Sequence, residues 1–203
     1  MVTLVLIALN VAVFVFELSL GANIDEFVRR WGLVPADISQ APGAVVTLLT
    51  STFLHAGWLH LVSNMLYLGV FGLPVERQMG GVRFSALYLL SGLVGSLAYL
   101  VAQPLSETPA IGASGAIAGV IAAHLFLFPG GTLGSVVPVV SLRAVEGAPT
   151  LVLLLVWLAT QIFSSVASLT TSTGIAWWAH LGGFASGFVL TPLLRRRRRW
   201  MAR

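Results

Sequence analysis

The sequence predicts an all-α, polytopic membrane protein, a bundle of six transmembrane helices. Three observations carry this expectation. Hydrophobic residues fill 57% of the 203 positions and charged residues only 9%, a balance that would leave a water-soluble domain of this size insoluble. The apolar residues gather into six stretches, each close to the ~20 residues a helix needs to cross the hydrocarbon core. The charges fall between or at the ends of those stretches, and every basic residue is an arginine.

The stretches are 2–19, 58–76, 83–102, 112–128, 149–168 and 177–194. The first is apolar from Met1 to Phe16, with neither a basic leader nor a small-residue cleavage site, and reads as a span rather than a cleaved signal. Between it and the second span, residues 21–54 mix Asp25, Glu26, Arg29 and Arg30 with Phe27, Trp31, Leu33 and Val34, so this connection is expected to lie partly in the membrane interface. The second span is polar for a membrane helix. The fourth and sixth are rich in glycine and alanine, as helices inside a bundle usually are, because small residues let backbones approach closely. Pro129-Gly130-Gly131 marks a turn after the fourth span. No internal repeat or low-complexity segment interrupts the pattern, and 1–203 reads as one domain.

Arginine sets the expected orientation. With six spans both termini share a side, and that side carries Arg77, Arg83, Arg143, Arg195 to Arg199 and Arg203. The opposite side carries only Arg29 and Arg30, offset by Asp25 and Glu26. Cytoplasmic loops carry the excess of arginine, so both termini are expected in the cytoplasm. The arginine tail reads as a stop-transfer flank. An anionic-lipid or nucleic-acid patch is the competing reading of those charges, and no nucleic-acid partner is expected.

The absences narrow the chemistry. The chain has no cysteine, hence no disulfide, no thiol nucleophile and no thiolate metal site. It has no lysine, which removes a Ser–Lys pair. None of its seven acids sits in the middle of a span, as a pair of membrane aspartates would require. A helical His-Glu-x-x-His zinc motif is missing, and neither a metal nor a cofactor is expected. Among hydrolytic chemistries, a hydroxyl with a histidine remains.

Gly112-Ala113-Ser114-Gly115 opens the fourth span and places Ser114 about one turn inside it, roughly 5 Å below its start. Gly112 and Gly115 leave the hydroxyl unshielded and give a substrate backbone room to approach. A serine hydroxyl is a weak nucleophile until a base takes its proton. His180 lies about one turn into the sixth span from the same side, so the two depths match. Gly183 and Gly187 share a helix face with His180 and would bring the two axes close enough for a hydrogen bond. Each residue also has a plainer account. Gly115-x-x-x-Gly119 is a helix-packing motif, and a lone membrane histidine often makes a structural hydrogen bond. In the second span, His60 and Asn64 stand four apart on one face. They supply the N–H donors that a developing oxyanion needs, or else a polar contact between helices. No carboxylate is placed to orient His180, so the expected unit is a dyad. His55 reads as a loop or interface histidine, and His124, about 15 Å deeper than Ser114, reads as structural.

The run His55-Ala56-Gly57-Trp58-Leu59-His60-Leu61-Val62-Ser63-Asn64-Met65, continuing to Glu76-Arg77-Gln78-Met79-Gly80, resembles the second helix of rhomboid proteases. Gly112-Ala113-Ser114-Gly115 matches the serine motif of that family, and Ala179-His180-Leu181-Gly182-Gly183 resembles its histidine helix. The three blocks occur in the family's order, and the six-span plan covers the whole chain.

The resemblance implies a six-helix, rhomboid-like bundle around a water-filled cavity open to the external side. Ser114 would be the nucleophile and His180 the general base, with His60 and Asn64 supporting the oxyanion. The segment with Arg30-Trp31 looks like the family's membrane-embedded first loop. Many members carry Tyr or Phe four residues after the serine, stacked on the histidine; Ala118 stands there in this chain, which leaves Trp177 or Trp178 to hold the ring.

The implied activity is intramembrane serine endopeptidase. Its substrates would be single-span transmembrane proteins, cut within the lipid bilayer where their helices unwind near small residues at the external face. A catalytically inactive rhomboid-like membrane binding or chaperone protein is the alternative. A transporter or channel would need polar groups along a path through the membrane rather than near one face. The short loops and lack of added domains point, by analogy with the family, to a bacterial inner membrane.

Overall fold

The computed structural model describes residues 1–38, 41–131, 150–169 and 175–195. Among these residues the chain is helical, without a strand. The main elements are α1 (Val2–Ser19), α2 (Ile24–Trp31), α3 (Trp58–Met79), α4 (Gly81–Ala102), α5 (Ser114–Leu127), α6 (Thr150–Ala167) and α7 (Trp177–Leu194). Each predicted apolar stretch coincides with one of them. Four, namely α1, α3, α4 and α6, are long and apolar enough to cross a membrane. The predicted fourth span is the shorter α5, and α7 is diluted by glycine, histidine and Pro192. Arg143 and the tail from Arg196 to Arg203, on which much of the orientation argument rests, lie outside the described residues.

The center of the bundle is α5. Every residue from Gly115 to Leu125 is buried, which a helix achieves only when neighbours surround it. Helix α7 packs most extensively against α4 and α5, while α6 touches mainly α7. The small residues expected to permit this do so at one place above all. A Cβ on Gly183 would stand 2.8 Å from the Gly115 carbonyl carbon and overlap its oxygen, and a Cβ on Gly187 would overlap the Gly119 backbone. The two helices therefore meet backbone to backbone.

The outer faces are apolar. Leu4, Val5, Val15 and Phe16 of α1 and Val152, Leu155, Val156 and Phe163 of α6 are exposed. In water such surfaces would be costly, whereas lipid tails are their natural solvent.

Two local devices set the frame. Glu76, near the end of α3, accepts hydrogen bonds from the Val2 and Thr3 amides at 2.7 and 2.9 Å and from Thr3 Oγ1 at 2.7 Å. A carboxylate at a helix N-terminus satisfies amides that have no partner within the helix, so Glu76 fixes where α1 begins against α3. Within α3, Pro74 has no amide hydrogen and its ring crowds the carbonyl four residues back. The helix widens into a π turn over Leu68–Gly72 just before it.

Candidate active site

Ser114 is the first residue of α5, not a residue one turn inside it. The cause is Gly112, whose φ of +122° lies outside the helical region and halts the helix before it can extend backward. The approach to Ser114 is clamped from both sides. Leu33 and Ala110 exchange backbone hydrogen bonds of 3.0 and 2.8 Å, and the Gly112 amide donates to Ser51 O at 2.8 Å. The long connection between the first two spans, expected at the membrane interface, thus reaches into the bundle and holds the segment that presents the serine. Because α5 starts at Ser114, the amides of its first turn have no acceptor within the helix, and the positive end of the helix dipole lies beside the hydroxyl.

His180 stands one turn into α7, and its Nε2 lies 2.7 Å from Ser114 Oγ. The backbone contact of Gly183 with Gly115 is what lets α5 and α7 come this close. The other ring nitrogen, Nδ1, lies 2.7 Å from Gln161 Oε1 of α6. The Trp177 ring meets the imidazole edge-on, with centroids 5.7 Å apart. Trp178 instead packs with Leu33, Leu48 and Tyr99. Sequence reasoning found no carboxylate to orient His180, offered Trp177 or Trp178 to hold the ring, and passed over Gln161. Its signal was available: a glutamine inside a predicted membrane span is a polar group in search of a partner.

His60 and Asn64 lie on α3 across a cavity of about 620 Å³ that is also lined by Ser114, His180, Gln161 and Trp157. The Ala56 amide donates to His60 Nδ1 at 3.4 Å, which leaves Nε2 to carry the ring hydrogen. That Nε2 would be 2.6 Å from a Cβ on residue 112, so only glycine there leaves room for the ring beside the serine segment. Asn64 Nδ2 is buried and has no hydrogen-bond partner among the described residues. A buried donor without an acceptor costs free energy, and Asn64 is among the residues that line the cavity. Gly115 turns its missing side chain toward α7, where a Cβ would meet Ala179 O at 3.3 Å, and also borders a small second cavity behind Ser114.

The remaining histidines lie apart from the Ser114–His180 pair. His55, in the turn before α3, is buried with its ring 5.1 Å from that of His60, and its amide donates to the Glu17 carboxylate at 3.2 Å. Burial, and behind it the neighbouring His60 imidazole, push His55 down to about 4, so it is neutral at physiological pH. His124 is buried between Phe71 and Phe128. Among the described residues no cluster of His, Asp or Glu has the arrangement to hold a metal ion.

An all-helical bundle with apolar outer faces and a serine hydrogen-bonded to a histidine inside defines an integral membrane protein with a polar internal center. Comparison with known proteins gives the family. The Rhomboid domain profile matches residues 42–197. The chain is 35% identical over 144 residues to RHOMBOID-like protein 4 of Arabidopsis thaliana, covering 70% of this chain and 32% of that protein. It is 31% identical over 159 residues to the putative rhomboid protease YdcA of Bacillus subtilis, covering 77% and 71% of the two chains. It is also 32% identical over 111 residues to inactive rhomboid protein 1 of Drosophila melanogaster, covering 55% of this chain and 8% of that protein. The chain belongs to the rhomboid family. It spans about a third of the length of the plant relative. Members of the family are in general intramembrane serine proteases acting on transmembrane substrates, and some are inactive.

Proposed function

We propose that this protein is an intramembrane serine endopeptidase with Ser114 as nucleophile and His180 as general base. The observation that carries the reading is the 2.7 Å contact between Ser114 Oγ and His180 Nε2, in a cavity that also holds the unpaired Asn64 amide. An inactive membrane binding protein of the same fold has no need of a poised hydroxyl–imidazole pair beside unused hydrogen-bond donors.

In the reaction, Ser114 Oγ attacks the scissile carbonyl as its proton passes to His180 Nε2. Negative charge develops on the carbonyl oxygen. Asn64 Nδ2, His60 Nε2–H and the first amides of α5 are the donors that meet it. The His180 proton then goes to the leaving amine, an acyl-enzyme remains on Ser114, and water hydrolyses it with His180 again as base. Gly112 leaves room for the His60 ring beside the serine segment, and Gly115 leaves room for the α7 backbone that carries His180. The six predicted spans would all cross the bilayer as a single domain, with both termini in the cytoplasm of a bacterial inner membrane.

Substrates are single-span proteins entering from the bilayer. A peptide bond within a helix is shielded by its own hydrogen bonds, so helix-breaking residues near the external face should speed cleavage. The test is cleavage of a single-span substrate by the purified protein in liposomes, beside Ser114→Ala. Cleavage abolished in the variant, and faster for a glycine- or proline-containing span than for a leucine span, supports the reading. Equal cleavage by both proteins overturns it, and intact substrate with wild-type protein favours the inactive class.

A further inference from the structure

The reaction above needs Nε2 of a neutral His180 to accept the serine proton, so the ring hydrogen must sit on Nδ1. In water an imidazole exchanges freely between its two tautomers, and something in the bundle has to choose. Nδ1 faces Gln161 Oε1 at 2.7 Å. Gln161 is only 5% exposed, inside α6, where a polar amide without a partner would be costly.

A glutamine amide is ambiguous by itself. Turned one way its oxygen accepts from Nδ1–H, and turned the other its nitrogen donates to Nδ1 and forces the hydrogen onto Nε2. The neighbouring residue decides. Gln161 Nε2 lies 3.3 Å from Thr160 Oγ1, and the Thr160 hydroxyl gives its single hydrogen to Trp157 O at 2.6 Å. Toward Gln161 the threonine oxygen can only accept, so the amide nitrogen turns to Thr160 and the amide oxygen to His180. The hydrogen bonds then run in one direction. Ser114 donates to Nε2, Nδ1–H to Gln161, Gln161 to Thr160, and Thr160 to the Trp157 carbonyl.

We propose that Gln161 is a positioning residue that holds His180 in its Nδ1–H tautomer, completing a Ser–His–Gln relay across α5, α7 and α6. The inference rests on the reading of Ser114 and His180 as the reacting pair. In a Ser–His–Asp arrangement a carboxylate fixes the tautomer and also stabilises the imidazolium by charge. The amide does the first without placing an ion in the membrane interior. The same bond ties α6, whose packing is mainly against α7, to the helix that carries the base.

The test joins kinetics to a direct view of the ring, using wild type, Q161M, Q161E, S114A and H180A. Q161M keeps the volume and removes the acceptor, whereas Q161E keeps an acceptor oxygen in the same place. With a single-span substrate in liposomes, kcat is expected to fall about 10- to 100-fold in Q161M, with KM unchanged, since a hydrogen bond to a developing charge is lost. Q161E should recover most of that rate. Nitrogen-15 spectra of the histidine rings, with His180 assigned by its disappearance in H180A, should show hydrogen on Nδ1 in wild type and a mixture of tautomers in Q161M.

Wild-type kcat in Q161M, equal loss in folded Q161M and Q161E, or a wild-type His180 protonated on Nε2 would overturn the proposal. The wild-type spectrum decides even if Q161M does not fold. Cleavage that depends on Ser114 but is undiminished in Q161M refutes the role of Gln161 alone. Cleavage equal in wild type and S114A refutes the protease reading instead.

Discussion

Gly183→Ala opposes two physical effects of known sign. Inside a helix, alanine is favoured over glycine by about 1 kcal/mol, so propensity alone predicts a more stable α7. Packing predicts the reverse. The new methyl would stand 2.8 Å from the Gly115 carbonyl carbon and overlap the oxygen, where carbon atoms in contact keep about 3.5–4.0 Å. The α5 and α7 backbones must then part by on the order of 1 Å, and overpacking of this kind costs about 1–3 kcal/mol. The displacement falls on the contact that brings His180 to Ser114, and a 1 Å misplacement costs about 100-fold in rate. The assay pairs thermal unfolding in detergent with kcat in liposomes, with Gly130→Ala as control because a Cβ at 130 meets nothing within 4 Å. Gly183→Ala should unfold at a lower temperature and lose about 100-fold in kcat. A variant that is more stable than wild type and fully active would refute the account of how the helices position the pair.

Three other perturbations probe separate parts. Under the proposed mechanism Asn64→Ala removes one oxyanion donor and should lower kcat about 100- to 1000-fold with little change in KM or unfolding temperature; an equal change in KM and none in kcat would assign Asn64 to substrate binding. His55, held near 4 against an ordinary 6.5, contributes stability that is fully present above pH 6.5 and is lost as pH falls toward 4. The loss is at most about 3 kcal/mol, and His55→Phe should flatten that acid slope in unfolding scans, with Glu17 and His60 left as the neighbouring titratable groups. Glu76→Ala strips the acceptor from two amides and a hydroxyl at the start of α1 and should cost about 2–4 kcal/mol in unfolding free energy, whereas unchanged stability would mean that α1 is held by its apolar contacts alone.

Much of this architecture is legible in the sequence because hydropathy and small residues act locally. Apolar runs mark α1, α3, α4 and α6, and Gly115, Gly119, Gly183 and Gly187 already announce that two helices touch. The pairing of Ser114 with His180 was readable for the same reason, as matching depth plus matching small faces leaves few other arrangements. The start of α5 was not. It depends on the positive φ of Gly112, whose amide is hydrogen-bonded to Ser51, far away in sequence. Glu76 as the cap of α1 was equally hidden, since its partners are more than seventy residues distant. Gln161 lay between the two cases. Its polarity was visible in an apolar span, but only the fold says that His180 Nδ1 is what it meets.

The central claim is that His180 makes Ser114 a nucleophile. A fluorophosphonate reagent reports on this directly, because it bonds covalently to an activated serine and needs no substrate helix. Peptide mapping after labelling should place the adduct on Ser114 in wild type and find none in His180→Ala. An adduct on another residue, or labelling of Ser114 undiminished without His180, would contradict the account.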